Sequence, residues 1–374
     1  MQYGALSRML HQLALGNRFL AEASFDVETL LHRTDPAPVV GRKHVFVAGM
    51  ARAGTTLLMR RFHATGAFRS LTYRDMPFVL MPSTWAWLSA SSGKLARPQE
   101  RSHGDGLLVD YDSPEALEEV FWRVFAGDRY LRDDRLVPMT ADEEIVERFR
   151  VYVAAVLRSR RSDPAVRYLS KNNNNLLRLP VLCRAFPNAV VIVPFRDPAP
   201  HADSLLAQHR RFVAMHRTDP FARKYMTWLA HHEFGSDHRP FRFPGDTLTY
   251  RNRDNLDYWM ELWIHTYEWL LGNAPASVVF QGYEDLCANP DEAWSRLAAF
   301  AEIPGDVVGA EKITLRCRTV DGPIDAGLKR HGEQVYAGLV ERARAGRAPG
   351  PGFPATASIA ARCAPGLPRV RPGR

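Results

Sequence analysis

The feature that most constrains the fold is a short apolar run, His44–Ala48, that leads directly into a loop bracketed by Gly49 and Gly54. A helical pattern, Thr55–Thr65, begins immediately after the second glycine. Short apolar runs that alternate with helical patterns are typical of buried parallel strands in α/β proteins. This stretch therefore predicts a strand, a tight loop and a helix, with the loop at the carboxyl end of the strand.

Four further stretches extend this pattern along the chain. Three are the apolar runs Val166–Ser170, Ala189–Phe195 and Ser277–Gln281, and another strand is predicted near Arg69–Tyr73. Helical patterns also occur at Pro114–Phe125, Glu143–Ser159, Ala199–Met215, Leu256–Leu271 and Pro290–Ala301. We predict an α/β, P-loop-like three-layer fold, in which helices flank a central, mostly parallel sheet of about five strands.

The basic residues are unevenly distributed. Seven arginines and no acidic residue lie in residues 342–374, which account for +7 of the net charge of +8. This tail has no periodic apolar face, so we predict that it is disordered. A helical extension, 1–38, is predicted to precede a domain at 39–341 that has irregular insertions near 83–112 and 233–255. Because the rest of the chain is almost neutral, we expect no nucleic-acid partner, although the tail has the charge for peripheral membrane contact.

The four cysteines, Cys183, Cys287, Cys317 and Cys363, form no CxxC pair and have no histidine at zinc-ligand spacing. The sequence therefore predicts neither a metal site nor a disulfide framework, and isolated thiols fit a reducing cytoplasm. No apolar stretch reaches the roughly 18 residues that a membrane span requires, and the first residues show no secretory pattern. We expect a cytoplasmic protein.

The loop Gly49-Met50-Ala51-Arg52-Ala53-Gly54 has the spacing of a nucleotide P-loop, but Thr55 stands where a P-loop has its lysine. Glycines let the backbone approach an anion, and the N–H groups at a helix N-terminus, here those of Thr55 and Thr56, point toward it. An enzyme that uses a nucleoside triphosphate needs the missing lysine. With one internal cation, Arg52, the loop suits a single 5′-phosphate that carries a transferable group. A glycine-rich turn without a ligand is the alternative.

A second candidate phosphate site follows the run Ala189–Phe195. Arg196 lies at the carboxyl end of this predicted strand, and Ser204 falls on the first turns of the next helix. Ligands of open α/β sheets bind at the carboxyl ends of strands, where an arginine can direct two donors at one phosphate. A simple ion pair between Arg196 and Asp197 is the alternative. Together the two sites predict a nucleotide with phosphate at two separate positions.

These residues resemble the motifs of the sulfotransferase family that uses 3′-phosphoadenosine-5′-phosphosulfate (PAPS). The segment Arg52–Thr56 resembles the loop for the 5′-phosphosulfate, and Arg196 with Ser204 resembles the motif for the 3′-phosphate. Tyr283, in a Tyr-Glu-Asp-Leu segment, resembles a later part of the family pattern, and the similarity spans residues 43–304. The resemblance implies a metal-independent transferase with PAPS as co-substrate and PAP as product.

The resemblance also implies catalytic roles. The arginine in the loop is similar to the tyrosylprotein-type and bacterial branches, in which an acidic residue downstream of the loop is the base. Asp75 falls near that position, where the family usually has glutamate. Lys171 matches a family cation at a strand end, and Lys329 resembles a late lysine near the nucleotide. An ion pair of Asp75 with a nearby cation, and His103 as the base instead, are the alternatives.

In such a mechanism Arg52 and Lys171 would stabilise the charge that develops on the leaving 5′-phosphate during in-line transfer. The acceptor would be a hydroxyl or amine of a small molecule, with a saccharide or glycolipid favoured by family analogy alone. Two other classes of protein stay open at this point. One is a P-loop kinase or NTPase-like phosphotransferase, which would require magnesium, and the other is a non-catalytic nucleotide-binding scaffold.

Overall fold

The computed structural model describes residues 5–90, 99–100, 108–109, 116–159, 163, 165–303, 320 and 322–346. The strands are β1 (Val45–Val47), β2 (Phe68–Arg69), β3 (Gln99–Glu100), β4 (Leu108–Val109), β5 (Arg167–Lys171), β6 (Val190–Phe195) and β7 (Val279–Gly282). The helices in the first half of the chain are α1 (Ala5–Gly16), α2 (Arg18–His32), α3 (Ala37–Val40), α4 (Thr55–Ala64), α5 (Pro82–Ser89), α6 (Glu119–Tyr130), α7 (Glu143–Arg158) and α8 (Leu179–Ala185). Those in the second half are α9 (Pro198–Thr218), α10 (Pro220–Trp228), α11 (Leu256–Asn273), α12 (Tyr283–Ala288), α13 (Pro290–Phe300) and α14 (Ala326–Ala345). Short 3₁₀ helices span Tyr73–Asp75 and Asn173–Leu177.

The central sheet has five parallel strands in the order β2-β5-β1-β6-β7. Val47 at the end of β1 is in register with Lys171 of β5 and with Ile192 of β6. The carboxyl ends of neighbouring strands therefore meet at one edge of the sheet, where open α/β sheets bind ligands. All five strands contain residues of the predicted apolar runs or lie next to them, and the predicted α/β fold class is confirmed.

Successive side chains along a strand point to opposite faces of the sheet. Both faces of this sheet carry apolar side chains, and helices cover both. Val45 and Val47 of β1 point into a core cluster that contains Phe62 of α4 and Trp294 of α13. Phe46 points the other way, into a larger cluster that holds residues of α6, α7, α8, α9 and α11. Every residue of β1 is fully buried, so the strand reads as a continuous apolar run rather than as an alternating one.

The carboxyl-terminal helix α14 was not predicted from the sequence, which placed the start of the tail at residue 342. The helix continues through Ala345 because Arg342 is tied to the domain. Its guanidinium donates hydrogen bonds to the carbonyls of Leu271, Ala274 and Pro275. Residues 342–345 are therefore helical, and residues 347–374, where the rest of the predicted tail falls, lie outside the described part of the chain.

Other boundaries also differ from the sequence prediction. The helix predicted at Pro114–Phe125 begins at Glu119 and runs to Tyr130, because Phe121, Trp122 and Tyr130 are all buried in the main core. Residues 233–255 contain no helix and no strand of the sheet, and most of the predicted insertion at 83–112 lies outside the described residues. None of the helices in the described ranges is both long and apolar enough to cross a membrane.

Candidate active site

The loop after β1 is shaped for close contact with an anion. Arg52 and Gly54 both adopt left-handed backbone conformations, with φ of 73° and 91°, which orients successive N–H groups into a concave surface. Gly49 has no room for a side chain, because a Cβ there would lie 2.9 Å from the ring of Pro194. Since α4 begins at Thr55, the N–H groups of its first turn face the same space.

A buried histidine holds this loop. His201, in the first turn of α9, donates from Nε2 to the carbonyl of Ala51 at 2.8 Å, and its Nδ1 accepts from the Trp263 indole at 3.1 Å. Burial and the nearby charges of Arg196 and Arg52 lower the pKa of His201 to about 3, although the bond to Ala51 acts in the opposite direction. The imidazole is therefore neutral, and its two nitrogens have fixed donor and acceptor roles.

The two predicted phosphate motifs meet at the side chain of Arg52. Its Nε donates to the hydroxyl of Ser204 at 3.2 Å, across 152 positions of sequence. Ser204 is buried on α9. The cation of the first loop and the hydroxyl of the second motif therefore belong to one continuous polar surface.

Arg196 joins the same surface through Tyr283. The Arg196 guanidinium carbon lies 4.9 Å from the centroid of the Tyr283 ring, a cation–π geometry. A Cβ on Gly54 would lie 2.9 Å from the same ring, so Tyr283 packs directly against the first loop. The predicted nucleotide contacts on β1, β6 and β7 thus occupy adjacent strand ends.

Helix α14 borders this surface. The Tyr336 hydroxyl donates to Glu284 Oε2 at 3.0 Å, and Glu284 Oε1 accepts from the N–H of Asp197 at 3.0 Å. Burial raises the pKa of Asp197, and the charges of Arg196 and the exposed Lys329 oppose that rise. The role of Lys329 near the nucleotide stays a prediction.

A cavity of about 170 Å³ opens beside the first loop, far larger than a single water molecule needs. Its lining includes the polar side chains of Arg52, Thr55, Thr56, Lys171, Asn173 and Glu233. It also includes the apolar side chains of Leu117, Phe212, Met215, Met226, Leu229 and Phe234. Phe212 and Met215 belong to α9, and Met226 belongs to α10, a helix that was not predicted from the sequence. The cavity therefore suits a molecule with a polar reacting group and an apolar body.

The lining of the cavity also includes a carboxylate, that of Glu233, together with the cations Arg52 and Lys171. Asn173 begins the 3₁₀ helix that follows Lys171, and its amide donates to Glu233 Oε1 at 2.7 Å. Burial raises the pKa of Glu233, but the charges of His231 and Lys171 and the bond from Asn173 outweigh it, so the pKa lies below its ordinary value. Glu233 is therefore ionised at neutral pH.

Asp75, which the resemblance marks as the base, has a different environment. Both of its oxygens accept from the Arg69 guanidinium, at 2.7 and 2.9 Å, and one also accepts from the N–H of Thr72 at 2.7 Å. The carboxylate is only 1% exposed, and Asp75 is not among the described residues that line the cavity. This geometry favours the alternative of an ion pair with a nearby cation, and the role of Asp75 as the base stays a prediction. His103, the second candidate base, lies outside the described residues.

Four residues that line the cavity were predicted from the sequence, namely Arg52, Thr55, Thr56 and Lys171. Three others, Glu233, Asn173 and His231, were not. No sequence signal links Glu233 to Lys171, because they come together only through the fold. Helix α10 had a readable signal in the Asp-Pro pair at 219–220, a typical helix start. Within the described ranges, no three His, Cys, Asp or Glu side chains form a group that could hold a metal ion.

A model of the sulfotransferase family matches residues 44–239, and no curated protein matches the chain. A sulfotransferase structure from Mycobacterium avium is 14% identical with a TM-score of 0.44, and the match covers 89% of this chain and 77% of that one. One from Mycobacterium tuberculosis is 12% identical with a TM-score of 0.45, covering 91% and 87%. The family match extends over more than half of the chain, so this protein belongs to the sulfotransferase family.

Proposed function

We propose that the protein transfers a sulfuryl group from PAPS to a hydroxyl group on an acceptor with an apolar body. The observation that carries the proposal is the hydrogen bond between Arg52 and Ser204, because it joins the two predicted phosphate motifs into one surface. A nucleotide with phosphates at the 5′ and 3′ positions needs two such sites at a fixed separation. A nucleoside triphosphate does not, and Thr55 occupies the position of the lysine that it would require.

The residues of the loop fit a 5′-phosphosulfate. The N–H groups at the start of α4 and the concave backbone at Arg52 and Gly54 supply donors, and the first turn of α4 contains no acidic residue. Arg196 and Ser204 would hold the 3′-phosphate, and Tyr283 would orient the guanidinium group of Arg196. When bound, PAPS supplies an activated sulfuryl group whose leaving group is a phosphate.

The cations would act on the leaving group. Arg52 and Lys171 line the cavity beside the loop, where they would stabilise negative charge as it grows on the 5′-phosphate oxygen. His201 holds the Ala51 carbonyl and so fixes the backbone next to Arg52 before the reaction. Catalysis of this kind depends on position and charge and requires no metal.

The cavity wall supports a choice between the expected acceptors. Six apolar side chains line this cavity together with the polar ones, so a saccharide alone would leave many of its hydroxyl groups without partners there. The lipid portion of a glycolipid, or another alcohol with an apolar body, would bury apolar surface against this wall.

Calorimetric titration with PAP, AMP and magnesium ATP tests the nucleotide assignment. Charge-assisted bonds to the 3′-phosphate should make PAP bind about 10–100-fold more tightly than AMP, without magnesium. Arg196→Ala should remove most of this difference in affinity. The matched control is Arg210→Ala, because Arg210 is an exposed arginine on α9, the helix that follows Arg196. Preference for magnesium ATP, or equal binding of PAP and AMP, would contradict the proposal.

A further inference from the structure

Among the described residues that line the cavity, Glu233 is the single one with a carboxylate. The acceptor hydroxyl must lose a proton during sulfuryl transfer, and a proton acceptor must lie within hydrogen-bond reach of it. Asp75 does not meet this requirement, because its oxygens are engaged by Arg69 and Thr72. Glu233 lines the same space as Lys171 and the first loop.

From this geometry we infer that Glu233 is the general base of the transfer, with Asn173 as the positioning residue that directs its carboxylate. The inference rests on the proposed function. As the acceptor oxygen forms its bond to sulfur, its proton passes to a carboxylate oxygen of Glu233. The bond between sulfur and the 5′-phosphate oxygen breaks, and its electron pair leaves with PAP.

Asn173 directs the carboxylate through one hydrogen bond. Its amide nitrogen donates to Oε1, which fixes one oxygen of the carboxylate. Asn173 is only 6% exposed. The oxygen of its side-chain amide, Oδ1, is buried and has no hydrogen-bond partner among the described residues. A buried amide in this state is costly to keep, which is expected where side chains are arranged for a ligand.

The other charged and titratable groups that line the cavity with Glu233 come from several elements of the fold. They are His231 on the same segment, Lys171 at the end of β5, Arg52 in the first loop, Tyr73 in the 3₁₀ helix after β2, and Tyr225 on α10. The cations keep the carboxylate ionised and able to accept a proton. His231 is the rival base, and its Nε2 lies 3.3 Å from the carbonyl of Ala116, a contact that engages this nitrogen.

The test compares two acceptors that need a base to different extents. 1-Octanol, a weakly acidic alcohol with an apolar chain, requires deprotonation during transfer, whereas 4-nitrophenol ionises near neutral pH by itself. Glu233→Gln should lower kcat with 1-octanol by about 100–10,000-fold and with 4-nitrophenol by less than about 10-fold. Affinity for PAP should stay within about 3-fold of the wild type, because the nucleotide contacts are retained.

Controls separate a base from a structural carboxylate. Glu261→Gln is matched, because Glu261 is also buried and accepts from the N–H groups of Thr249 and Tyr250 in the same 233–255 segment, but lies outside the cavity wall. It should affect both acceptors equally. Asn173→Leu should move the acid limb of the pH profile upward, since loss of the donor raises the pKa of Glu233.

Three results would decide the matter. A selective loss of 1-octanol turnover in Glu233→Gln supports the inference. The inference is overturned if Glu233→Gln changes kcat by the same factor with both acceptors. It is also overturned if His231→Asn, and not Glu233→Gln, selectively lowers kcat with 1-octanol. Either result leaves the PAP proposal intact. Failure of the wild-type protein to bind PAP overturns the proposed function and this inference together.

Discussion

The ion pair between Arg69 and Asp75 makes a strong prediction about Asp75→Asn. This change keeps the shape of the side chain and leaves an oxygen for the Thr72 N–H, but it removes the charge that faces Arg69. Arg69 and Asp75 are 9% and 1% exposed at their side chains, so the remaining guanidinium cannot recover its hydration. Breaking a buried pair in this way costs about 3–5 kcal/mol.

For a chain of 374 residues, with an unfolding entropy of about 2.1 cal/mol/K per residue, the loss corresponds to a fall in Tm of about 4–6 °C. Thermal unfolding followed by circular dichroism measures it, with Arg69→Met as the reciprocal variant. The double variant Arg69→Met/Asp75→Leu should recover most of the stability, because it removes both charges at once. Octanol sulfation by folded Asp75→Asn, measured well below its Tm, should stay within about 10-fold of the wild type.

The reasoning would be refuted by the opposite pattern. If Asp75→Asn kept the wild-type Tm but lost octanol turnover, its carboxylate would be the base after all. A double variant less stable than either single variant would show that the pair is not an isolated ion pair.

Three further predictions concern stability and the loop. Acidification from pH 6.5 toward pH 4 should lower the free energy of unfolding, because His44, His201 and His238, with pKa values lowered to about 4, 3 and 3, gain protons only on unfolding. The slope should approach about 4 kcal/mol per pH unit, and a flat urea-unfolding profile would contradict it. His201→Phe should weaken PAP binding about 10-fold, as calorimetry can measure, since the Ala51 carbonyl loses its donor. Arg342→Ala should cost about 2 kcal/mol, because its guanidinium bonds three carbonyls and lies 5.0 Å from the Phe280 ring; Arg342→Lys should cost less.

The sheet and the phosphate motifs were predictable because their signals are local. The apolar run at His44–Ala48, the glycines that follow and the hydroxyls of Thr55 and Thr56 are adjacent in sequence, and each has one strongly preferred structure. Arg196 was placed at a strand end by the same reasoning. Parallel pairing then brings such strand ends together without any further information.

The carboxylates were not predictable in the same way. Asp75 was chosen by its position in the chain, but its partner Arg69 became evident only from the turn that folds the two together. Glu233 and Asn173 are 60 positions apart, and neither belongs to a motif. Helix α14 was not predicted. Its basic end resembles the start of the tail, and Arg342 is held by tertiary contacts that the sequence does not display.

The most direct test of the central claim is a crystal structure of the protein with PAP. We expect the 5′-phosphate against the N–H groups of Thr55 and Thr56, and the 3′-phosphate within hydrogen-bond distance of Arg196 and Ser204. We also expect Lys171 and Glu233 to border the space beyond the 5′-phosphate. PAP bound in the reverse direction, or bound away from the loop at 49–54, would contradict the assignment of both phosphate sites.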